Sequence, residues 1–167
     1  MMAETVEFSI TGLDSLLGKL EAITYDVKRK GGRAALRKAA QVVRAAAAEN
    51  AKRIDDPETA AAIHANVALR WSGRLFKRTG DLGFRVGVLG GARIPKSKKK
   101  GAEPGGPGGD TRYWAFVEFG TSDTAARPFM RTALANNIDL ATKTFVTEYE
   151  KAIDRAIKRA AKAAGSN

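Results

Sequence analysis

Apolar residues recur every three or four positions over two long stretches of this chain, and every second position over shorter ones. From Val27 to about Ile54, Leu36, Ala40, Val43, Ala47 and Ile54 fall on one face, while Arg33, Arg37, Lys38 and Arg44 fall mostly elsewhere. That spacing predicts an amphipathic helix. Gly31 and Gly32 lie in its first part; two glycines cost about 2 kcal/mol relative to alanine in a helix interior, so a kink or break is expected there. From Pro128 to about Ala164, Leu134, Ile138, Ala141, Phe145, Tyr149, Ile153 and Ile157 repeat at three or four, predicting a second helix roughly 55 Å long. So long a helix exceeds what a small globule covers, and its distal half is expected to lean on a neighbouring chain or to fray.

The pattern changes between Val67 and Gly90. Val67, Leu69 and Trp71 alternate with small or basic residues, as Phe84, Val86 and Val88 do with Arg85 and Gly87, which predicts two strands. A third strand is predicted in "RYWAFVEFG", residues 112–120, paired with the strand that ends near Leu89. Shorter signals complete the chain: a strand over Val6 to Ile10, a turn at Thr11-Gly12, a helix from Leu13 or Asp14, and a short helix with Asp56 as N-cap and Pro57 at its first position. Together these describe an α+β fold, a small antiparallel sheet from Val67 to Phe119 packed against a long N-terminal and a long C-terminal helix. The expected core includes Leu36, Val43, Val86, Val88, Val117, Phe119, Phe129, Leu134 and Ile138.

With 167 residues, 44% of them hydrophobic, the chain suits one domain spanning residues 1–167. No cysteine is present, so stability comes from packing or from assembly with other chains. No stretch approaches the length of apolar residues that a membrane span requires, and the N-terminus lacks a secretory pattern, so a soluble, unsecreted chain is expected. Charge adds a partner class. Lys and Arg number 29 against 18 Asp and Glu, a formal charge of +11, which brings polyanions such as nucleic acid into consideration. Residues 28–53 carry nine basic side chains and one acidic, and residues 70–100 carry ten basic side chains against Asp81. The segment "ARIPKSKKKGAEPGGPGGDTR" is basic, rich in Gly and Pro and nearly free of core residues, so a mobile loop is expected over about residues 91–111. Arg93, Lys96, Lys98, Lys99 and Lys100 in it are candidates for contact with DNA phosphates, without base reading.

Catalytic chemistry finds little footing. His64 is the single histidine and lies in an alanine-rich turn with no nucleophile pattern near it. The chain has no HExxH and no Asp-x-Asp loop, so no metal site is expected. The glycine-rich loop lacks the Gly-Lys-Ser/Thr ending of a phosphate cradle, and no cofactor is expected. No enzymatic activity is therefore assigned.

One carboxylate stands out. Glu118 sits at the end of the third apolar run, on the strand face that period-two alternation also gives to Trp114 and Phe116, and so needs a partner. Arg127, or the N-terminal dipole of the helix that Pro128 opens, would supply it, making the segment a strand-helix corner. Alternatively the corner is a subunit boundary at which Glu118 meets a basic residue of the next chain. The corner residues are Tyr113, Glu118, Phe119, Gly120, Thr121, Arg127, Pro128 and Phe129.

At this corner the sequence resembles the HK-ninety-seven gene-product-ten-like tail-component proteins of tailed phages, related to minor tail protein Z. The likeness is carried by Tyr113, the run Val117 to Thr121, and Pro128 to Arg131 with Ala133; Thr132 stands where the family often has proline. "LRWSGRLFKRTGDLGFRVGV" and the order of helix, small sheet and helix agree with it. The resemblance implies a structural virion protein of siphophage type at the head-tail junction, assembled in the host cytoplasm. Its role would be a subunit of a homo-oligomeric neck or tail-completion ring through which double-stranded DNA passes, touching it nonspecifically. Its partners would be other junction proteins such as a head-closure protein, tail terminator or tail tube. Within the family a tail terminator is the alternative, and outside it a stand-alone nonspecific nucleic-acid-binding protein.

Overall fold

The computed structural model describes residues 25–55, 62–89 and 108–164. Two long helices run antiparallel along each other: α1 (Tyr25–Lys52) and, near the C-terminus, the 35-residue α5 (Met130–Ala164). Between them in sequence come a single-turn helix α2 (Ile63–Asn66), strand β1 (Val67–Trp71), helix α3 (Gly73–Thr79), strand β2 (Phe84–Val88) and helix α4 (Trp114–Phe119). The α+β class and both long helices match the apolar periodicity.

The seam between α1 and α5 is built from small residues. Ala35, Ala39, Ala47 and Ala51 of α1 are buried, facing Ala133, Ala141, Tyr149 and Ile153 of α5. Gly31 and Gly32 do not interrupt α1. A Cβ on Gly31 would stand 3.1 Å from the Ala152 Cβ and 3.3 Å from the Tyr149 ring, and one on Gly32 would stand 2.9 Å from Leu82. The glycines let α5 and the connection before β2 approach α1 closely, and that contact offsets their poor helix propensity. The same contact corrects the expectation for α5: its distal half, through Tyr149, Ala152 and Ile153, lies against α1 of its own chain.

The sheet has two strands, with Val67 opposite Val88, Leu69 opposite Val86 and Trp71 opposite Phe84. This inner face meets the main core of Ala47, Ala51, Ile63, Val67, Phe129 and Ala133. The connection 72–83 contains α3, whose Phe76 packs on Trp71 at 5.7 Å, while Phe84 meets Trp71 edge-on at 5.2 Å.

The expected third strand is absent: residues 114–119 form α4. Aromatic and β-branched residues favour a strand, but Trp114, Val117 and Glu118 stand at i, i+3 and i+4, and a helix turns all three towards the core. Phe119, expected in the core, is consequently 62% exposed, and Leu134 is also exposed. Leu36, Val43, Val86, Val88, Val117 and Ile138 are half-buried, whereas Phe129 is fully buried. The expected strand at Val6 to Ile10, the helix after it and the Asp56-Pro57 cap lie outside the described residues.

Candidate functional site: the corner between α4 and α5

Glu118 holds the corner together. Its Oε2 accepts the backbone N–H groups of Phe129 (2.8 Å) and Met130 (2.9 Å), and its Oε1 accepts that of Arg131 (2.9 Å). These are among the N–H groups that a helix start leaves without intrahelical partners, and a carboxylate set eleven residues earlier serves as their cap. Arg131 adds a side-chain bond from Nε to Oε1 at 3.2 Å and another from Nη2 to the Glu118 carbonyl at 2.6 Å. Burial pushes the Glu118 carboxyl up, but the backbone N–H groups of Met130, Arg131 and Phe129, with the Arg131 guanidinium, outweigh it and hold it below the ordinary carboxylate range.

The chain between the two helices is shaped to allow this. Gly120 ends α4 with φ of 76°. A Cβ there would come within 2.9 Å of the Thr124 carbonyl oxygen and the Ala126 nitrogen, so glycine is required both by conformation and by space. Thr121 closes the turn, its N–H donating to the Thr124 carbonyl and its hydroxyl accepting from the Thr124 N–H. The Arg127 N–H then donates to the Val117 carbonyl at 2.8 Å, and Pro128 leads into buried Phe129, whose carbonyl accepts from the Asn50 side chain of α1.

The carboxylate thus meets the helix start, but its charged side-chain partner is Arg131, one helical turn beyond Arg127. Both its oxygens are occupied by its own chain and the side chain is 1% exposed, so it does not present itself to a neighbouring chain. What the corner does present is aromatic. Tyr113, which caps α4, and Phe116 and Phe119 on its outer face stand three apart; Phe116 and Phe119 are each 62% exposed, and the Arg131 guanidinium lies 5.0 Å from the Phe119 ring centre. Thr121, Arg127 and Pro128 are exposed beside them. Phe116 and Arg131 were not among the corner residues expected from the strand reading; helical spacing in residues 113–119 and the position of Arg131 in the first turn of α5 are the signals that could have placed them there.

A second polar cluster, without an evident sequence signal, closes the base of the segment that carries the candidate basic residues. Buried Asn66 donates through Nδ2 to the Gly109 carbonyl and to Thr111 Oγ1, and accepts from the Gly108 N–H; Thr111 Oγ1 donates to the Leu89 carbonyl. Gly108 lies against α2 so closely that a Cβ would fall 2.0 Å from the Ala62 oxygen. Residues 108–111, expected within a mobile loop, are therefore anchored to the core. Arg93, Lys96, Lys98, Lys99 and Lys100 lie outside the described residues. His64 pairs through Nδ1 with Asp55 Oδ2 at 2.7 Å, and Asp55 also accepts the N–H groups of Ile63 and His64, so this histidine belongs to a helix cap. Among the described residues no helix is long and apolar enough to cross a membrane, and no three His, Cys, Asp or Glu side chains stand together as a metal site.

Residues 14–120, well over half of the chain, match the family described as "Bacteriophage HK97-gp10, putative tail-component". The chain belongs to this phage tail-component family, which points to the virion and to other phage structural proteins as partners. The match runs through α4 and Gly120 and ends before α5. No curated protein and no solved structure matches the chain.

Proposed function

We propose that this chain is a subunit of a homo-oligomeric ring at the head-tail junction, a neck or tail-completion component through which double-stranded DNA passes. The observation that carries this reading is apolar surface left uncovered by the described residues: Phe116 and Phe119 on α4, and an open groove of about 380 Å³ at Val43, Val86, Met130 and Leu134. A second groove of about 310 Å³ follows the α1–α5 seam past Leu36, Ile138 and Phe145. Residues whose spacing marks them as core but which the described residues leave half-covered are what a subunit boundary requires. The charge of +11 supports passage of DNA rather than capture of an acidic metabolite, because it is spread over runs and not focused in a pocket.

The mass of the purified protein, alone and mixed with other junction proteins, tests the reading. A multi-subunit species is expected, and Phe116→Asp should dissolve it while leaving the melting temperature of the subunit unchanged. A chain that stays monomeric under every such condition, or a Phe116→Asp variant that assembles normally, would sink it.

A further inference from the structure

The outer face of the β-hairpin carries two features that local physics disfavours, side by side. Arg70 and Arg85 stand directly opposite each other in the ladder, both exposed. Like charges in that position repel and destabilise a strand pair. Neither arginine has a carboxylate partner among the described residues. The adjoining pair on the same face is Ala68 opposite Gly87. Gly87 lies inside a strand, where glycine is a weak choice, yet a Cβ placed on it would meet nothing within 4 Å and its φ is not in the left-handed region. Among the described residues neither packing nor backbone conformation accounts for it. The result is an open depression of about 350 Å³ lined by Ala68 and Gly87, which bring almost no side chain to it, and by Arg70, Arg85 and Leu89.

From this juxtaposition we infer that the Arg70–Arg85 face binds the phosphodiester backbone of double-stranded DNA. Local rules broken together on an exposed surface mark places where something else is bound. A phosphate between the two arginines removes their repulsion, because guanidinium groups bond phosphate oxygens in forked geometry. The bare floor provides clearance for a ridge of backbone, and with both guanidinium groups on phosphate oxygens no other polar side chain lines the depression to read a base edge, so the contact is independent of sequence. A repeating polyanion is favoured over an acidic peptide by the sequence run to which both arginines belong, ten basic residues against one acidic over 70–100. The inference rests on the proposed DNA contact and names its residues on the folded body rather than in the Lys96 to Lys100 segment.

Fluorescence anisotropy of a labelled mixed-sequence duplex, titrated with NaCl, tests it on the full chain. The double variant Arg70→Gln/Arg85→Gln is expected to bind at least tenfold more weakly at low salt, with a log–log salt slope shallower by roughly 0.9 per bound subunit, the share of the one phosphate no longer held between the two arginines. Arg37→Gln on α1 combined with Arg53→Gln just beyond its end, which removes the same charge, should change affinity less than threefold. Gly87→Val keeps the charge and covers the floor, and should weaken binding at least fivefold. Both hairpin changes relieve a locally unfavourable feature, so their melting temperatures should equal or exceed that of the parent, which separates a binding role from a structural one. Equal weakening in the α1 control, or unimpaired binding by Gly87→Val, would overturn the assignment while leaving DNA contact elsewhere intact. A parent protein that fails to bind the duplex at low salt would overturn the DNA reading itself. Displacement of the duplex by polyglutamate of equal charge at equal concentration would overturn the phosphate assignment in favour of an acidic protein.

Discussion

Replacing Glu118 with glutamine tests the α4–α5 corner with almost no change in volume. One carboxylate takes three backbone N–H groups at 2.8, 2.9 and 2.9 Å and the Arg131 Nε at 3.2 Å. The amide keeps a single acceptor oxygen, its NH2 group must face at least one N–H donor, and the negative charge at the helix start is removed. A charge-assisted hydrogen bond contributes about 1.5–3 kcal/mol, a buried donor left unmade costs about 1–3, and a charge at a partly buried helix end contributes up to about 2. These effects overlap, so a net loss of about 3 kcal/mol is expected, a large share of the roughly 5–15 that a whole domain possesses. For a chain of this size the melting temperature should fall by about 6–12 °C. Calorimetry measures the fall, and amide exchange should show the N–H groups of Phe129, Met130 and Arg131 losing protection.

The pH dependence separates this account from a packing defect. The Glu118 carboxyl titrates lower in the folded chain than in the unfolded one. Its stabilisation is therefore complete above the ordinary carboxylate range and is lost as the pH falls through that range towards the folded-state value. Parent and Glu118→Gln should differ most near neutrality and converge in acid. A loss below about 1 kcal/mol at neutral pH, the net worth of a single ordinary hydrogen bond, or a gap that persists undiminished in acid, would refute the reasoning.

Reversal of the charge, Glu118→Lys, places an ammonium against three N–H donors and should abolish soluble folded protein, as judged by circular dichroism of the expressed chain. Asn66→Ala removes three bonds from a buried cluster and should cost about 2–4 kcal/mol in denaturant unfolding, a loss that Thr111→Val should share only in part. Deleting residues 96–106 should spare the fold, whereas extending the deletion through Asp110 removes Gly108 and its bonds to Asn66 and Ala62 and should lower the melting temperature clearly. Replacing Lys96, Lys98, Lys99 and Lys100 with alanine should weaken nonspecific duplex binding while leaving the mass of any assembly unchanged; dissociation of that assembly would assign the lysines to the subunit boundary instead.

The long helices and the two-stranded hairpin were legible in the sequence because their periodicities extend over several turns or several alternations, and burial of one face leaves few alternatives. Val67 to Trp71 and Phe84 to Val88 have the limits their alternation implies. The need of Glu118 for a partner was equally legible, since a carboxylate among large apolar residues must be neutralised or capped. Three features were decided only in three dimensions. Residues 114–119 are too few for periodicity to separate strand from helix, and the outcome followed from the core, which receives Trp114, Val117 and Glu118 together only from a helix. Gly31 and Gly32 read as a break because propensity is local, whereas their use is the approach of Tyr149, Ala152 and Leu82, residues distant in the chain. The Asn66–Gly108–Thr111 cluster joins positions more than forty apart through single hydrogen bonds, and no pattern along a chain encodes which polar side chain will be buried opposite which. Sequence determines what repeats and what must be compensated; tertiary packing determines which distant residue does the compensating.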